Sequence, residues 1–186
     1  MSRITNKSTA TISYDERKLA ELILYISQAA ESKPKFGATH LNKVLCFADF
    51  ISYENTGKAI TGAVYQCLQG GPAPRRLLPV VAELQAKGHI EVEMVPYLNG
   101  HQKRLIPRRD PDLGAFDGTQ IALVDRLIEE LSEMSAGEVS DLSHTLPGWR
   151  LAGYKEDIPY ESIFLADLPI LLADHEAADE LTEQAS

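Results

Sequence analysis

The side chains with the widest chemical repertoire in this 186-residue chain are five histidines and two cysteines, and their spacing argues against catalysis. His40, His89, His101, His144 and His175 are scattered, with no HExxH run and no paired CxxC, so nothing in the spacing points to a metal site. Cys46 and Cys67 each lie in an apolar context and outside any activated-thiol motif, which fits two reduced core thiols better than a disulfide. A GxSxG elbow, a P-loop and a GxGxxG loop are all missing. The expectation is a protein with no catalytic residues, no metal and no cofactor.

Recognition chemistry is better represented. Arg75 and Arg76 stand at a helix start, and His101, Lys103, Arg104, Arg108 and Arg109 mark a basic hairpin. Helix, turn, helix and hairpin in that order would make a winged-helix nucleic-acid site. The preferred reading is plainer: these cations sit on a solvated hairpin face or balance the chain's many acids. The helix connection is also too long for a tight helix-turn-helix, because a strand intervenes. His144 and Trp149 form a second pair, since a buried indole N–H needs a partner and a histidine can supply one. Asp49, on an apolar helix, and Tyr65, on the strand that follows, are polar groups that must be paired if buried.

The elements that position these residues are legible in the pattern. Ser13 with Glu16 forms a capping box, and Leu19, Leu22, Ile23 and Ile26 place an apolar stripe on a helix running to about Ala30. Leu41, Val44, Leu45, Ala48 and Ile51 repeat at helical spacing, with Phe47 and Phe50 as a second flank, so this central helix should be buried on more than one side. Gly57 suits the left-handed position after it. Ile60 to Leu68 reads as a strand, and Gln69-Gly70-Gly71-Pro72-Ala73-Pro74 as a rigid turn that launches a helix, which Pro79, lacking an amide donor, would either kink or delay to about Leu78. Ile90, Val92 and Met94 alternate with Glu91 and Glu93, and Asn99-Gly100 marks a tight turn into the second strand of a hairpin. Asp117 with Gln120 caps an amphipathic helix carrying Ile121, Val124, Leu127, Ile128 and Leu131, and Ser135 with Glu138 caps a shorter one. From His144 onward Pro147, Gly148, Gly153 and Pro159 suggest an irregular arm over the helices.

The fold class is therefore α+β and mainly α-helical, a compact helical domain with a short strand, a β-hairpin and a C-terminal arm. Its bounds read as a flexible N-terminus over 1–12, one domain over 13–172 and an acidic tail over 173–186. Hydrophobic residues make up 44% and charged residues 24%, which is a globular balance. The formal charge of -9 disfavours a general phosphate-backbone binder, because that affinity rests on cations. MSRITNKSTAT lacks the apolar run of a secretory signal, and Asp167 and Pro169 break the greasiest late segment, so the chain reads as cytoplasmic without a membrane span.

Taken in order, LNKVLCFADF, TGKAITGAVYQ, GGPAPRRLLPVVAEL, SHTLPGWRLA and IPYESI resemble the Panacea, or SocA-like, antitoxin domain family over roughly residues 39–164. The turn departs from the family pattern, with Gln69-Gly70-Gly71-Pro72 where many relatives carry an aromatic residue before Gly-Pro. The resemblance implies a bacterial or phage antitoxin that neutralises a cognate protein toxin, encoded by the adjacent gene, through direct contact. Leu41, Asp49, Gly71, Pro72 and His144 match the pattern as structural residues. The expected contact surface is the exposed part of the Tyr65 to Arg76 region and the Trp149 to Tyr160 arm, with Tyr65, Arg75, Arg76, Trp149 and Tyr154 as candidate partner-binding residues. A toxin–antitoxin heterocomplex and a homo-oligomer are both open. The rival readings are the DNA-binding regulator and an adaptor that hands the toxin to a protease, the latter resting on the acidic tail.

Overall fold

The computed structural model describes residues 12–165; the expected acidic tail, and with it the sequence basis for an adaptor role, lies outside them. The architecture is α+β and mainly helical. Two helices, α1 (Glu16–Ala29) and α2 (Ala38–Thr56), lead into strands β1 (Tyr65–Leu68) and β2 (Gly71–Pro74). Helix α3 (Leu77–Ala86) and the hairpin of β3 (Ile90–Tyr97) and β4 (Gly100–Pro107) follow. Helices α4 (Gly118–Ser132), α5 (Ala136–Ser143) and α6 (Pro147–Leu151), strand β5 (Asp157–Ile158) and a 3-10 helix (Tyr160–Leu165) complete the described chain.

Helix α2 is the axis. It packs against α1, α4, α5, β2 and the terminal 3-10 helix, and its residues from Val44 to Ser52 are all buried. Leu19, Leu22, Ile23 and Ile26 of α1 and Val124, Leu127, Ile128 and Leu131 of α4 close on it at no more than 2% exposure. Each such side chain contributes roughly 1.5–3 kcal/mol through removal of apolar surface from water. Gly57 ends α2 at φ 73°, with its amide donating to Tyr53 O. Helix α3 closes in a Schellman arrangement, His89 N donating to Leu84 O and Gly88 N to Gln85 O, around Gly88 at φ 68°. Pro79 is the third residue of α3, where no intrahelical amide bond is needed, so the helix starts before it.

Several expectations change. The N-cap of α1 is Asp15, whose carboxylate accepts from Lys18 N while its own amide donates to Thr61 O; Ser13 lies outside the helix. The strand expected from Ile60 begins only at Tyr65, because Thr61 N turns inward to Asp49 and Gly62 takes φ 66°. The proline-rich segment is a strand, not a turn: β2 pairs antiparallel with β1, Tyr65 opposite Pro74 and Cys67 opposite Pro72. It tolerates both prolines because it is an edge strand and Arg75 N donates to Val64 O, so by alternation the nitrogens of residues 72 and 74 face away from β1. The arm after His144 is ordered. It supplies α6 and then β5, which pairs with the other side of β1 to give the sheet order β2-β1-β5.

The hairpin forms as expected, but its loop is Leu98-Asn99, with Tyr97 opposite Gly100. Leu98 takes φ 51° there. Ile90 is buried while Met94 is 63% exposed, so the apolar face of β3 leaves the core halfway along. Both cysteines are free and buried. Among the described residues no helix is long and apolar enough to cross a membrane.

Candidate partner interface

Two buried polar anchors hold the small sheet against α2. At the first, Asp49 has no exposure and receives the Thr61 amide at 2.6 Å and the Thr61 hydroxyl. The Tyr65 hydroxyl stands 2.9 Å from the same carboxyl and the Tyr160 hydroxyl 3.3 Å. Those phenols also reach backbone carbonyls, Tyr65 that of Leu45 at 2.8 Å and Tyr160 that of Ala63 at 2.7 Å. Burial drives the Asp49 carboxyl above the usual aspartate range, outweighing the pull of its hydrogen bonds.

At the second, Lys43 is 1% exposed on α2 and donates to Pro72 O at 3.1 Å, an oxygen that also accepts from Asn42 Nδ2. Burial lowers the Lys43 ammonium to about 8. Gly71 is required beside it. With φ 97°, an added Cβ would fall onto Ser143 Oγ and within 2.6 Å of Lys43 Nζ.

Strand β2 is buried throughout, so the accessible part of the sheet lies along β1 and β5. Alternation along β1 turns Tyr65 and Cys67 inward and Gln66 and Leu68 outward. Arg75, just past β2, lies across that face: its guanidinium donates to Asp157 Oδ1 at 2.6 Å, to Gln66 Oε1 at 3.2 Å and to Lys155 O at 2.6 Å. The loop between α6 and β5, whose Lys155 O accepts from Arg75, carries Tyr154, 70% exposed, with Lys155 Nζ 5.3 Å from its ring centroid. A planar cation fixed on a sheet, with an exposed phenol on the loop that it binds, is suited to protein contact.

The candidate residues therefore divide. Arg75, Trp149 and Tyr154 gather around the sheet, and Tyr65 supports it from inside, with no exposed surface of its own for a partner. Arg76 points elsewhere, to Glu16 at 2.7 Å. Trp149 is half-buried and donates its indole N–H to Leu68 O at 2.9 Å, which ties α6 to β1. His144 does not take that proton, contrary to expectation. Its ring stacks on the indole with centroids 3.9 Å apart and 15° between planes, and its Nε2 is buried without a partner. Leu41 is a core residue at 3% exposure.

The arginines of the basic hairpin region are engaged within the fold. Arg104 donates to the carbonyls of Ala30 and Glu31 at the end of α1, Arg108 pairs with Glu91, and Arg109 pairs with Glu21 at 2.7 Å. Only His101 and Lys103 stay exposed without such ties, which is little for phosphate recognition. Among the described residues no three His, Cys, Asp or Glu side chains converge on a position that could hold a metal. Sequence reasoning passed over Lys43 and Tyr160. A lysine within a helix buried on more than one side was a usable signal for the first; nothing local marked the second.

A family model described as antitoxin SocA-like, Panacea domain, matches residues 41–150. The match takes in α2 from Leu41 onward, both anchor residues on it, the sheet strands β1 and β2 and the His144–Trp149 stack, and stops before β5 and Tyr160. No curated protein and no solved structure matches the chain.

Proposed function

Because the chain belongs to the SocA-like, Panacea-domain antitoxin family, we propose that it neutralises a cognate protein toxin by direct contact and carries no chemistry of its own. The family match, over well more than half of the chain, is the observation that carries this reading. The outer face of the β2-β1-β5 sheet is the contact surface, with Arg75 and Tyr154 as its anchors. Two physical features support the choice. Tyr154 stands 70% exposed beside this face, and its arginine is already held by Asp157 and Gln66, so docking costs little side-chain entropy. The net charge of -9 adds steering toward a basic partner surface.

The test is co-expression with the product of the adjacent reading frame. Restored growth and a co-purifying complex are expected; no complex and no rescue overturns the reading. Tyr154→Ala should weaken the complex tenfold or more while leaving thermal unfolding unchanged, because Tyr154 contributes almost nothing to the core. Equal affinity of that variant removes this face as the interface.

A further inference from the structure

We propose that Asp49 is held in the folded protein as a neutral carboxylic acid, and that its proton latches α2 to β1. The argument is a count of protons. Each phenol near Asp49 has one O–H, and each lies closer to a carbonyl than to the carboxyl: Tyr65 is 2.8 Å from Leu45 O against 2.9 Å from Oδ2, and Tyr160 is 2.7 Å from Ala63 O against 3.3 Å. A carbonyl can only accept. With the phenolic protons directed to Leu45 and Ala63, Oδ2 faces lone pairs on both phenols, and the contact with Tyr65 is a hydrogen bond only if Oδ2 itself donates. The remaining groups fit that assignment. Thr61 N donates to Oδ1 and the Thr61 hydroxyl donates to Oδ2 while accepting from Ala63 N at 3.2 Å.

The surroundings favour the neutral form. Asp49 has no exposure, and its hydrogen-bond partners Thr61, Tyr65 and Tyr160 carry no positive charge; an isolated buried carboxylate is costly and takes up a proton instead. The titratable groups facing the cluster are Cys46 from α2, Tyr65 from β1 and Tyr160 from the 3-10 helix. Burial raises all three, so none supplies a charge of either sign at neutral pH. The proton thus joins α2 to a strand residue 16 positions further along the chain.

Carbon-13 NMR of the full chain labelled at the aspartate carboxyl carbons tests this directly. The Asp49 resonance should keep the shift of a protonated acid through pH 7; titration in the ordinary aspartate range, near 4, or below it overturns the proposal. A second measurement compares denaturant unfolding of wild type and Asp49→Asn across pH. A carboxyl whose folded pKa is raised releases its proton on unfolding, so stability falls as pH rises from the unfolded value toward the folded one. The unfolding constant of wild type should therefore grow relative to the variant by up to about tenfold per pH unit from near pH 4 upward. A ratio that is flat or that falls with pH overturns the proposal.

Discussion

Gly71 and Lys43 show how much of this molecule turns on single positions. Gly71 sits at φ 97° with Ser143 Oγ and Lys43 Nζ where a side chain would begin, so Gly71→Ala meets both a backbone and a packing penalty. A loss of about 2 kcal/mol or more is expected, read as a lower urea midpoint at unchanged slope. Lys43 gives a pH signature. Its ammonium is lowered to about 8 by burial, so between that value and the ordinary lysine range the folded state has shed a proton that the unfolded chain still holds. Stability from this residue is therefore least below pH 8 and rises with pH above it, by up to about 1.4 kcal/mol per unit. Lys43→Met should remove that rise in denaturation measurements between pH 8 and 10. The slope has the opposite sign to that expected of Asp49 and lies in a more alkaline window, so the two groups can be told apart. His40 illustrates a quieter case: Nδ1 accepts weakly from Gly37 N at 3.4 Å, Nε2 lies 3.1 Å from Met134 O, and burial lowers its pKa, all consistent with a neutral ring that caps α2 where glycine has no side chain to do so.

At the scale of elements, the hairpin and the three-stranded sheet carry different lessons. The hairpin loop puts Leu98, 87% exposed, at φ 51°, a conformation that costs a branched side chain and that no packing rewards. Leu98→Gly should raise stability by about 1 kcal/mol, checked as a higher midpoint in thermal or chemical unfolding. Asn99-Gly100 signalled a turn correctly, yet register is set by how Val92 and Leu105 meet the core, and that moved the loop one residue back. In the sheet, Arg75 ties β5 to β1 through a pair whose side chains are 41% and 62% exposed. Arg75→Ala should cost under about 1 kcal/mol globally, because exposed pairs are screened and entropically expensive. Its effect should be local: faster amide exchange at Cys67 and Lys155, whose N–H groups bond across β1 and the β5 loop. Helices α4 and α5 were legible down to their capping boxes, since Asp117/Gln120 and Ser135/Glu138 act within one turn. Strand β2 was not, because Pro72 and Pro74 spell a turn locally and become strand residues only when β1 lies on one side and Lys43 on the other.

For the whole molecule, charge and shape point the same way. Among the described residues the hairpin arginines are engaged by Glu21, Glu91 and the end of α1, so the hairpin offers no phosphate-binding patch against the net charge of -9. If the partner is a basic toxin, the association rate should fall severalfold from low salt to physiological salt, with dissociation little changed, as measured by stopped-flow mixing at several ionic strengths. Sequence alone determined the longer helices, the caps of α4 and α5, the existence of the hairpin, most of the buried faces and the family, because those signals lie in periodicities and contacts spanning a few residues. Only the tertiary structure decided which polar groups share the interior and which surface is left over. Asp49 meets Tyr160 across 111 positions, Lys43 meets Pro72 across 29, and Arg75 meets Asp157 across 82. Such pairings follow from how the chain closes on itself, and no local pattern records them.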